Sequence, residues 1–202
     1  MITIIDYGAG NLRSVEKAFA AVGVETEIAS NKDLLMQAKA LVLPGVGAFG
    51  EAMDCLRAKE FDQIILSAAK MGKPILGVCL GYQLLFEESE EFGLHKGLGL
   101  LPGRVVRFPK NDLHVPHVGW NQVHKHQDHP ILFNIANNSF FYFVHSFYVE
   151  PSVNSDVIGL TDYGVNFCAI AGRGNVVGVQ FHPEKSQQAG LTLLKNFYSQ
   201  LK

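Results

Sequence analysis

Residues 74–81, Pro74-Ile75-Leu76-Gly77-Val78-Cys79-Leu80-Gly81, set a cysteine between two glycines at the end of a short apolar run. Such a run, bounded by proline and glycine, reads as a buried strand over Pro74–Val78. The pattern beyond it, Leu80–Glu88, reads as a helix. A strand that passes directly into a helix at Gly-x-Cys-x-Gly is the geometry of a nucleophile elbow. A strand without polar alternation needs cover on both faces, which the parallel sheets of α/β proteins provide.

The segments before this stretch repeat the same grammar. Ile2–Ile5 is another buried-strand run. Leu12, Val15, Phe19 and Val22 recur at helical spacing, with Gly23 as a stop. Val24–Ala29 reads as a second strand, residues 33–38 as a short helix, and Ala40–Leu43 as a third strand ending at Pro44-Gly45. Residues 50–71 read as helix, in one or two pieces. Strands separated by helices imply parallel βαβ units with right-handed crossovers.

The segments after it change character. Arg104–Phe108, Gln122–His124, Phe140–Val149, Val157–Thr161, Phe167–Ala171 and Val176–Phe181 are β-like, with few helical patterns between them. A closing helix carries Leu191, Leu194, Phe197 and Leu201 on one stripe. Residues 109–130 hold five of the eight histidines without a clear period and read as loop-rich. The expected fold is therefore α/β: a central, mostly parallel twisted sheet with helices on both faces and an antiparallel extension. Residues 1–202 are expected to form one domain.

Composition narrows the function. A chain that is 48% hydrophobic and 18% charged, with a net charge of −2, is not a disordered or collagenous sequence. Its 17 basic and 19 acidic residues leave no electrostatic footprint for nucleic acid or an anionic membrane. No apolar run approaches the roughly 18 residues of a membrane span. Met1–Asp6 reads as a strand and not as a signal peptide, so a reducing cytoplasm is the expected compartment. Three widely spaced cysteines do not suggest a disulfide framework.

Cys79 is the first candidate for chemistry. The turn lifts its side chain out of the sheet, and a following helix N-terminus favours a thiolate. The Leu80 N–H is placed to donate to an oxyanion. A buried structural thiol between two turn glycines is the competing reading of the pentapeptide. A nucleophile also needs a base. His182 lies in Gln180-Phe181-His182-Pro183-Glu184, where an extended chain would set His182 and Glu184 side by side. Glu184 could then hold the imidazole in one tautomer. Alone, the pair reads as a surface His and Glu; beside the elbow, it reads as a relay.

Pro44-Gly45-Val46-Gly47 follows the third strand, and its backbone could supply a second oxyanion donor. Cys55 and Cys168 sit in helical and strand patterns and read as core thiols. His124, His126 and His129 lack a carboxylate or cysteine at ligand spacing, so no metal is expected. Asp6-Tyr7-Gly8-Ala9-Gly10-Asn11 has Gly-x-Gly but not the third glycine of a dinucleotide fingerprint, and no cofactor is expected.

Together these residues resemble the triad glutamine amidotransferases. The resemblance runs through Pro44–Gly47, Gly77–Gln83 and His182–Glu184. It narrows to the glutaminase subunits of imidazole glycerol phosphate synthase on adding Asp6–Asn11, Pro116-His117-Val118-Gly119-Trp120-Asn121, Tyr142–Ser146 and Gln180–Ser186. It covers essentially the whole chain in order. It implies that Cys79 attacks the side-chain amide of glutamine, that His182 moves the proton and that Glu184 orients His182. The N–H groups of Leu80 and of the Gly45, Val46 and Gly47 loop would bind the oxyanion. Gln83 and the backbone near Ser146 and Phe147 would hold glutamine, with Glu91 at its α-amino group.

The resemblance further implies a (β/α)8-barrel cyclase as partner in a heterodimer, with Asn11, Trp120, Tyr142 and Lys185 near the interface. Ammonia would pass through the barrel to make imidazole glycerol phosphate and an aminoimidazole carboxamide ribotide in histidine biosynthesis. A reorienting Pro44–Gly47 loop would keep the glutaminase silent until the cyclase binds its ligand. Three alternatives stay open on the sequence: a related glutaminase subunit feeding another synthase, a free-standing cysteine hydrolase, and a sensor module using Cys79. Trp120 and the His-Pro-Glu-Lys-Ser segment argue against the vitamin B6 glutaminase subunit.

Overall fold

The computed structural model describes residues 1–110 and 113–201. Asn111 and Asp112, inside the stretch read as loop-rich, and Lys202 lie outside the described residues. The first half alternates strands and helices: β1 (Ile2–Ile5), α1 (Leu12–Ala21), β2 (Thr26–Ala29), α2 (Lys32–Gln37), β3 (Ala40–Gly45), α3 (Phe49–Ala58), α4 (Phe61–Lys70), β4 (Ile75–Cys79) and α5 (Leu80–Leu84). The second half is mostly strand: β5 (Glu88–Ser89), β6 (His95–Lys96), β7 (Gly103–Arg107), β8 (His117–Lys125), β9 (Ser139–His145), β10 (Phe147–Pro151), β11 (Val157–Asp162), β12 (Asn166–Arg173) and β13 (Val176–Val179). Helix α6 (Gln187–Ser199) closes it.

Strands β2, β1, β3, β4 and β13 pair in that order, all parallel. Beyond β13 the sheet continues through β12, β10, β7, β5 and β6, where most pairings are antiparallel. A branch leaves β12 through β11 to β8 and β9, all antiparallel. The expected mixed sheet is present.

Alternation along the parallel strands divides the core in two. Ile2, Ile4, Ala40, Val42, Leu76 and Val78 pack with Val15 and Phe19 of α1 and with Leu193, Leu194 and Phe197 of α6. Ile5, Leu41, Leu43 and Ile75 pack on the opposite face, with Leu35 of α2, Met53 and Leu56 of α3, and Ile65 of α4. Successive side chains point to opposite faces of a strand, so both faces need helices. Glu60, with φ of 57°, breaks the 50–71 helical stretch into α3 and α4. Pro44 sits inside β3, yet β1 pairs with β3 only as far as Val42, so the missing N–H leaves no ladder bond open on that side.

Four local expectations need correction. Helix α5 stops at Leu84 and does not run to Glu88. The carbonyls of Leu84, Leu85, Phe86 and Glu87 accept from the Gly97–Leu101 backbone instead of from a continuing helix. Phe140–Val149 is two strands: β9 pairs with β8, β10 pairs with β7 and β12, and the chain changes partners at Ser146. The loop-rich stretch contains the nine-residue strand β8, whose one-sided burial and polar residues masked its period. Cys55 is exposed, not a core thiol, because it falls on the solvent side of α3; Cys168 is buried as expected. No helix among the described residues is long and apolar enough to cross a membrane.

Candidate active site

Cys79 ends β4 and caps α5, with φ of 55° and ψ of −112°. A non-glycine residue rarely holds a positive φ, and one that does costs roughly 1–3 kcal/mol, so the surrounding packing must enforce it. The flanking glycines supply that packing. A Cβ on Gly81 would lie 1.8 Å from the Leu43 carbonyl oxygen, and one on Gly77 would lie 2.8 Å from the Gly81 oxygen. The helix therefore sits directly on β3 and β4, and the cysteine is turned out at the carboxyl end of the sheet.

A cavity of about 320 Å³ opens there, at the lower end of small-ligand sites. It is lined by Val46, Gly47, Cys79, Leu80, Gln83, Glu91, Pro116, Val144, His145, Ser146, Phe147 and His182. Residues far apart in sequence thus converge on the thiol.

His182 follows β13 in extended geometry, and Pro183–Lys185 forms a single 3₁₀ turn. The expected side-by-side extended pair is replaced by this turn, because Pro183 fixes a φ that suits its first position. Contact is made all the same: His182 Nδ1 lies 2.8 Å from Glu184 Oε1, and both side chains are almost fully buried. Nε2, the other ring nitrogen, has no hydrogen-bond partner. Its neighbour is the Cys79 side chain, in electrostatic contact without a bond of ordinary geometry. Burial disfavours the imidazolium, but Cys79 and Glu184 together outweigh it and raise the His182 pKa from 6.5 to about 10. A protonated His182 is the counter-charge that a thiolate at Cys79 needs.

The segment after β3 borders the thiol. Gly45 pairs in register with Cys79. A Cβ on Gly45 would meet the Tyr7 hydroxyl at 2.7 Å and the Gly81 nitrogen at 2.8 Å. Gly47 has φ of 99° with open space where a Cβ would go, so its conformation and not crowding calls for glycine. Glu91 accepts from the Phe49 N–H at 2.7 Å, tying the cavity wall to the start of α3. Gln83 donates to the Phe147 carbonyl at 2.9 Å and to Gln180 Oε1 at 3.0 Å.

Tyr7, His117 and His145 fall within motifs quoted from the sequence, but sequence reasoning gave them no role. Tyr7 is buried with an unpartnered hydroxyl, and burial, followed by the charges of Cys79 and Cys55, pushes its pKa well up. His117 and His145 form a buried pair, Nδ1 to Nε2, at 3.0 Å. Their joint placement at one register position of β8 and β9 was invisible without the pairing.

The residues singled out for a partner lie together in part. Trp120 and Tyr142 are cross-strand neighbours with ring centroids 6.1 Å apart, and Lys185 Nζ sits 5.7 Å from the Tyr142 ring. Val118, Trp120, Phe140 and Val144 are exposed on the same β8–β9 pair. Asn11 is exposed before α1, which packs against the Pro183–Lys185 turn. His124 contacts Asn138, and His129 Nδ1 accepts from the Ile131 N–H; among the described residues no three His, Cys, Asp or Glu side chains converge as a metal site.

The sequence pattern described as glutamine amidotransferase class-I matches residues 3–201. The imidazole glycerol phosphate synthase subunit HisH of Syntrophotalea carbinolica is 53% identical over 203 residues, covering 98% of both chains. The chain belongs to the class-I glutamine amidotransferases, in the HisH branch. The subunit HisH of Methanosarcina acetivorans is 49% identical over 97% of this chain and 96% of its own. Among solved structures, PurLQS from Thermotoga maritima superposes with a TM-score of 0.80 at 20% identity, over 100% of this chain and 98% of that one. A structure described as glutamine amidotransferase gives 0.78 at 18% identity, over 99% and 98%. At these identities the likeness is one of fold, and the HisH relatives carry the family.

The buried histidines of this HisH-type chain set its acid stability. Burial lowers the His117 pKa to about 4. Burial, with a smaller contribution from nearby His117 and His182, lowers that of His145 to about 3 despite its bond to Phe147. Both are neutral when folded and take a proton when unfolded at pH below about 6.5. The unfolded state then binds more protons, so stability falls as pH drops from 6.5 towards 4. Urea denaturation across this range should show it. Replacing His117 by Phe should reduce the slope by about one proton.

Proposed function

We propose that this chain hydrolyses glutamine to glutamate and ammonia through Cys79, His182 and Glu184, and delivers the ammonia to a barrel-shaped cyclase subunit in histidine biosynthesis. The observation that carries the reading is His182, held by Glu184 at 2.8 Å while sharing a cavity with a cysteine at a strained strand–helix turn.

The Cys79 thiolate attacks the side-chain carbonyl carbon of glutamine, forming the carbon–sulfur bond and an oxyanion. The N–H of Leu80 and those of the Gly45–Gly47 segment receive that oxyanion. Imidazolium at His182 gives its proton to the leaving nitrogen, and the C–N bond breaks to release ammonia and a γ-glutamyl thioester. Neutral His182 then takes a proton from water as the water attacks, the C–S bond breaks to release glutamate, and the Cys79 thiolate and His182 imidazolium are restored. Glu184 keeps Nδ1 occupied, so Nε2 does the transfer. Gln83, Ser146, Phe147 and Glu91, which line the cavity, hold the substrate.

The relatives are named as subunits of imidazole glycerol phosphate synthase, which supports a partner. The exposed apolar residues of β8 and β9, with Tyr142, Lys185 and Asn11 nearby, are its docking face. Ammonia released there goes to make imidazole glycerol phosphate and the aminoimidazole carboxamide ribotide on the partner. The Pro44–Gly47 segment is the gate, since Gly47, with φ of 99° and open space beside it, has the conformational freedom to change orientation.

Glutamate release measured on the chain alone and with the cyclase plus its nucleotide ligand tests this. Strong release only in the full mixture is the expected result. Equal release without any partner would favour a free-standing hydrolase. Release stimulated by a different synthase would move the chain to a related pathway.

A further inference from the structure

We propose that His117 and His145 are positioning residues: a directional pair of neutral imidazoles that holds the Ser146–Phe147 backbone in place for glutamine recognition. The proposal rests on the glutaminase reading above and deepens it.

Ser146 and Phe147 line the cavity at the point where the chain leaves β9 for β10. Pairing with β8 ends at His145 and pairing with β7 begins at Phe147, opposite Arg107, so Ser146 lies between two ladders. The Ser146 carbonyl accepts from the Phe108 N–H at 3.1 Å. Strand β10 meets β12 in register only at Val149 and Cys168, so the Phe147 carbonyl is held by side chains instead. Gln83 Nε2 donates to it at 2.9 Å, and His145 Nδ1 lies 2.8 Å away.

A single proton arrangement satisfies the whole chain. A carbonyl only accepts, so His145 carries its proton on Nδ1. Burial keeps His145 neutral, which leaves Nε2 as a bare acceptor. His117 Nδ1, 3.0 Å away, must therefore be the donor. His117 is neutral for the same reason, and its Nε2 accepts from Asn121 Nδ2 at 3.3 Å. Asn121 also donates to the Asp162 carbonyl at 2.8 Å, which anchors the far end on β11. The N–H groups that link Asn121, His117 and His145 all point towards Phe147.

Neither ring is free to swing: His145 lies between Phe108 and Phe167, each with its centroid 5.1 Å away. His117 stacks on Tyr163, with centroids 4.0 Å apart, and on Phe143 at 4.9 Å. Without the His117 donor, His145 Nε2 becomes a buried acceptor with no partner, and only the Phe147 carbonyl still favours the Nδ1–H tautomer. A proton moved to Nε2 would turn a bare Nδ1 lone pair towards the Phe147 oxygen, and the two acceptors would repel. The backbone that borders the substrate would then shift.

Labelling of Cys79 in the full-length chain separates recognition from thiol reactivity. One probe is 6-diazo-5-oxo-L-norleucine, a glutamine-shaped electrophile; the other is iodoacetamide, which lacks the amino-acid end. His117→Phe keeps the ring and removes the donor. It should raise the half-saturating concentration of the diazoketone about tenfold, the equivalent of one buried hydrogen bond, with little change in the iodoacetamide rate. His117→Asn, whose amide nitrogen can take the place of Nδ1, should restore most of the loss. If His117→Phe fails to fold, His145→Gln, which loses the Nδ1 donor, should show the same rise. An unchanged half-saturation, or an equal loss with both probes, would overturn the positioning role. A wild-type chain with no preference for the diazoketone, and no protection by glutamine, would instead overturn the glutaminase reading.

Discussion

Glutamate release by the Cys79→Ala variant, assayed in the assembled synthase, should fall by about 10³-fold or more, the scale seen when a covalent nucleophile is removed. Without sulfur no thioester forms, and the oxyanion donors and His182 are left to assist only direct attack by water. The substitution should not unfold the chain. Alanine accepts the positive φ of 55° no worse than cysteine, and the packing that imposes it comes from Gly77 and Gly81. The variant has a second readout in His182. Cys79 is among the causes that lift its pKa to about 10. Removing it leaves burial opposed by Glu184 alone, so the imidazole should titrate lower, as proton NMR would record. The sign follows for stability. A folded pKa raised above 6.5 stabilises the fold below pH 6.5 and loses that contribution as pH rises through about 10. In Cys79→Ala that alkaline loss should be smaller and complete at lower pH. Undiminished glutamate release would remove Cys79 from the mechanism.

The parallel half of the sheet was legible because each strand there carries its own signal. Ile2–Ile5, Ala40–Leu43 and Pro74–Val78 are continuous apolar runs, buried on both faces. The elbow was legible for a related reason: cysteine between two glycines at a strand–helix junction is a short local pattern, whereas the contact of Gly81 with Leu43 is visible only in the fold. The antiparallel half was harder. Strand β8 hides in a histidine-rich stretch because one side faces the core and the other presents Val118 and Trp120 outward, which breaks the usual polar alternation.

The end of α5 was not legible at all. Nothing in Leu80–Glu88 opposes a helix. What stops it is Gly97–Leu101, arriving from ten or more residues away to take the carbonyls a longer helix would use. Gly97 is needed there, since its Cβ would lie 2.2 Å from the Phe86 oxygen. The pairing of His117 with His145 is hidden for the same reason: it depends on register between strands that share no local signal. Local pattern therefore singles out Cys79 as the candidate nucleophile, and tertiary pairing builds the pocket around it.

Gly81→Ala should do more to the fold than any other single methyl group at the site. The added Cβ would lie 1.8 Å from the Leu43 oxygen and 2.7 Å from its carbonyl carbon. Both are backbone atoms of a central strand, paired with β1 and β4, so no rotamer change relieves the clash. Helix α5 must move away by more than an ångström, which opens the core around Leu43 and Tyr82 and releases the strain that turns Cys79 into the cavity. Overpacking of this kind costs about 1–3 kcal/mol, and more where backbone must shift. For a chain of this size that lowers the melting temperature by roughly 5–10 °C. Cys79 labelling by either electrophile should fall sharply in the same variant. Gly47→Ala is the matched comparison. It meets open space, so its effect comes only from the φ of 99° and stays within the loop, at about 1–2 kcal/mol. Equal melting temperatures for the two variants would show that the elbow's glycines are there for conformation alone and that the helix does not rest on β3 as tightly as the contact with Leu43 requires.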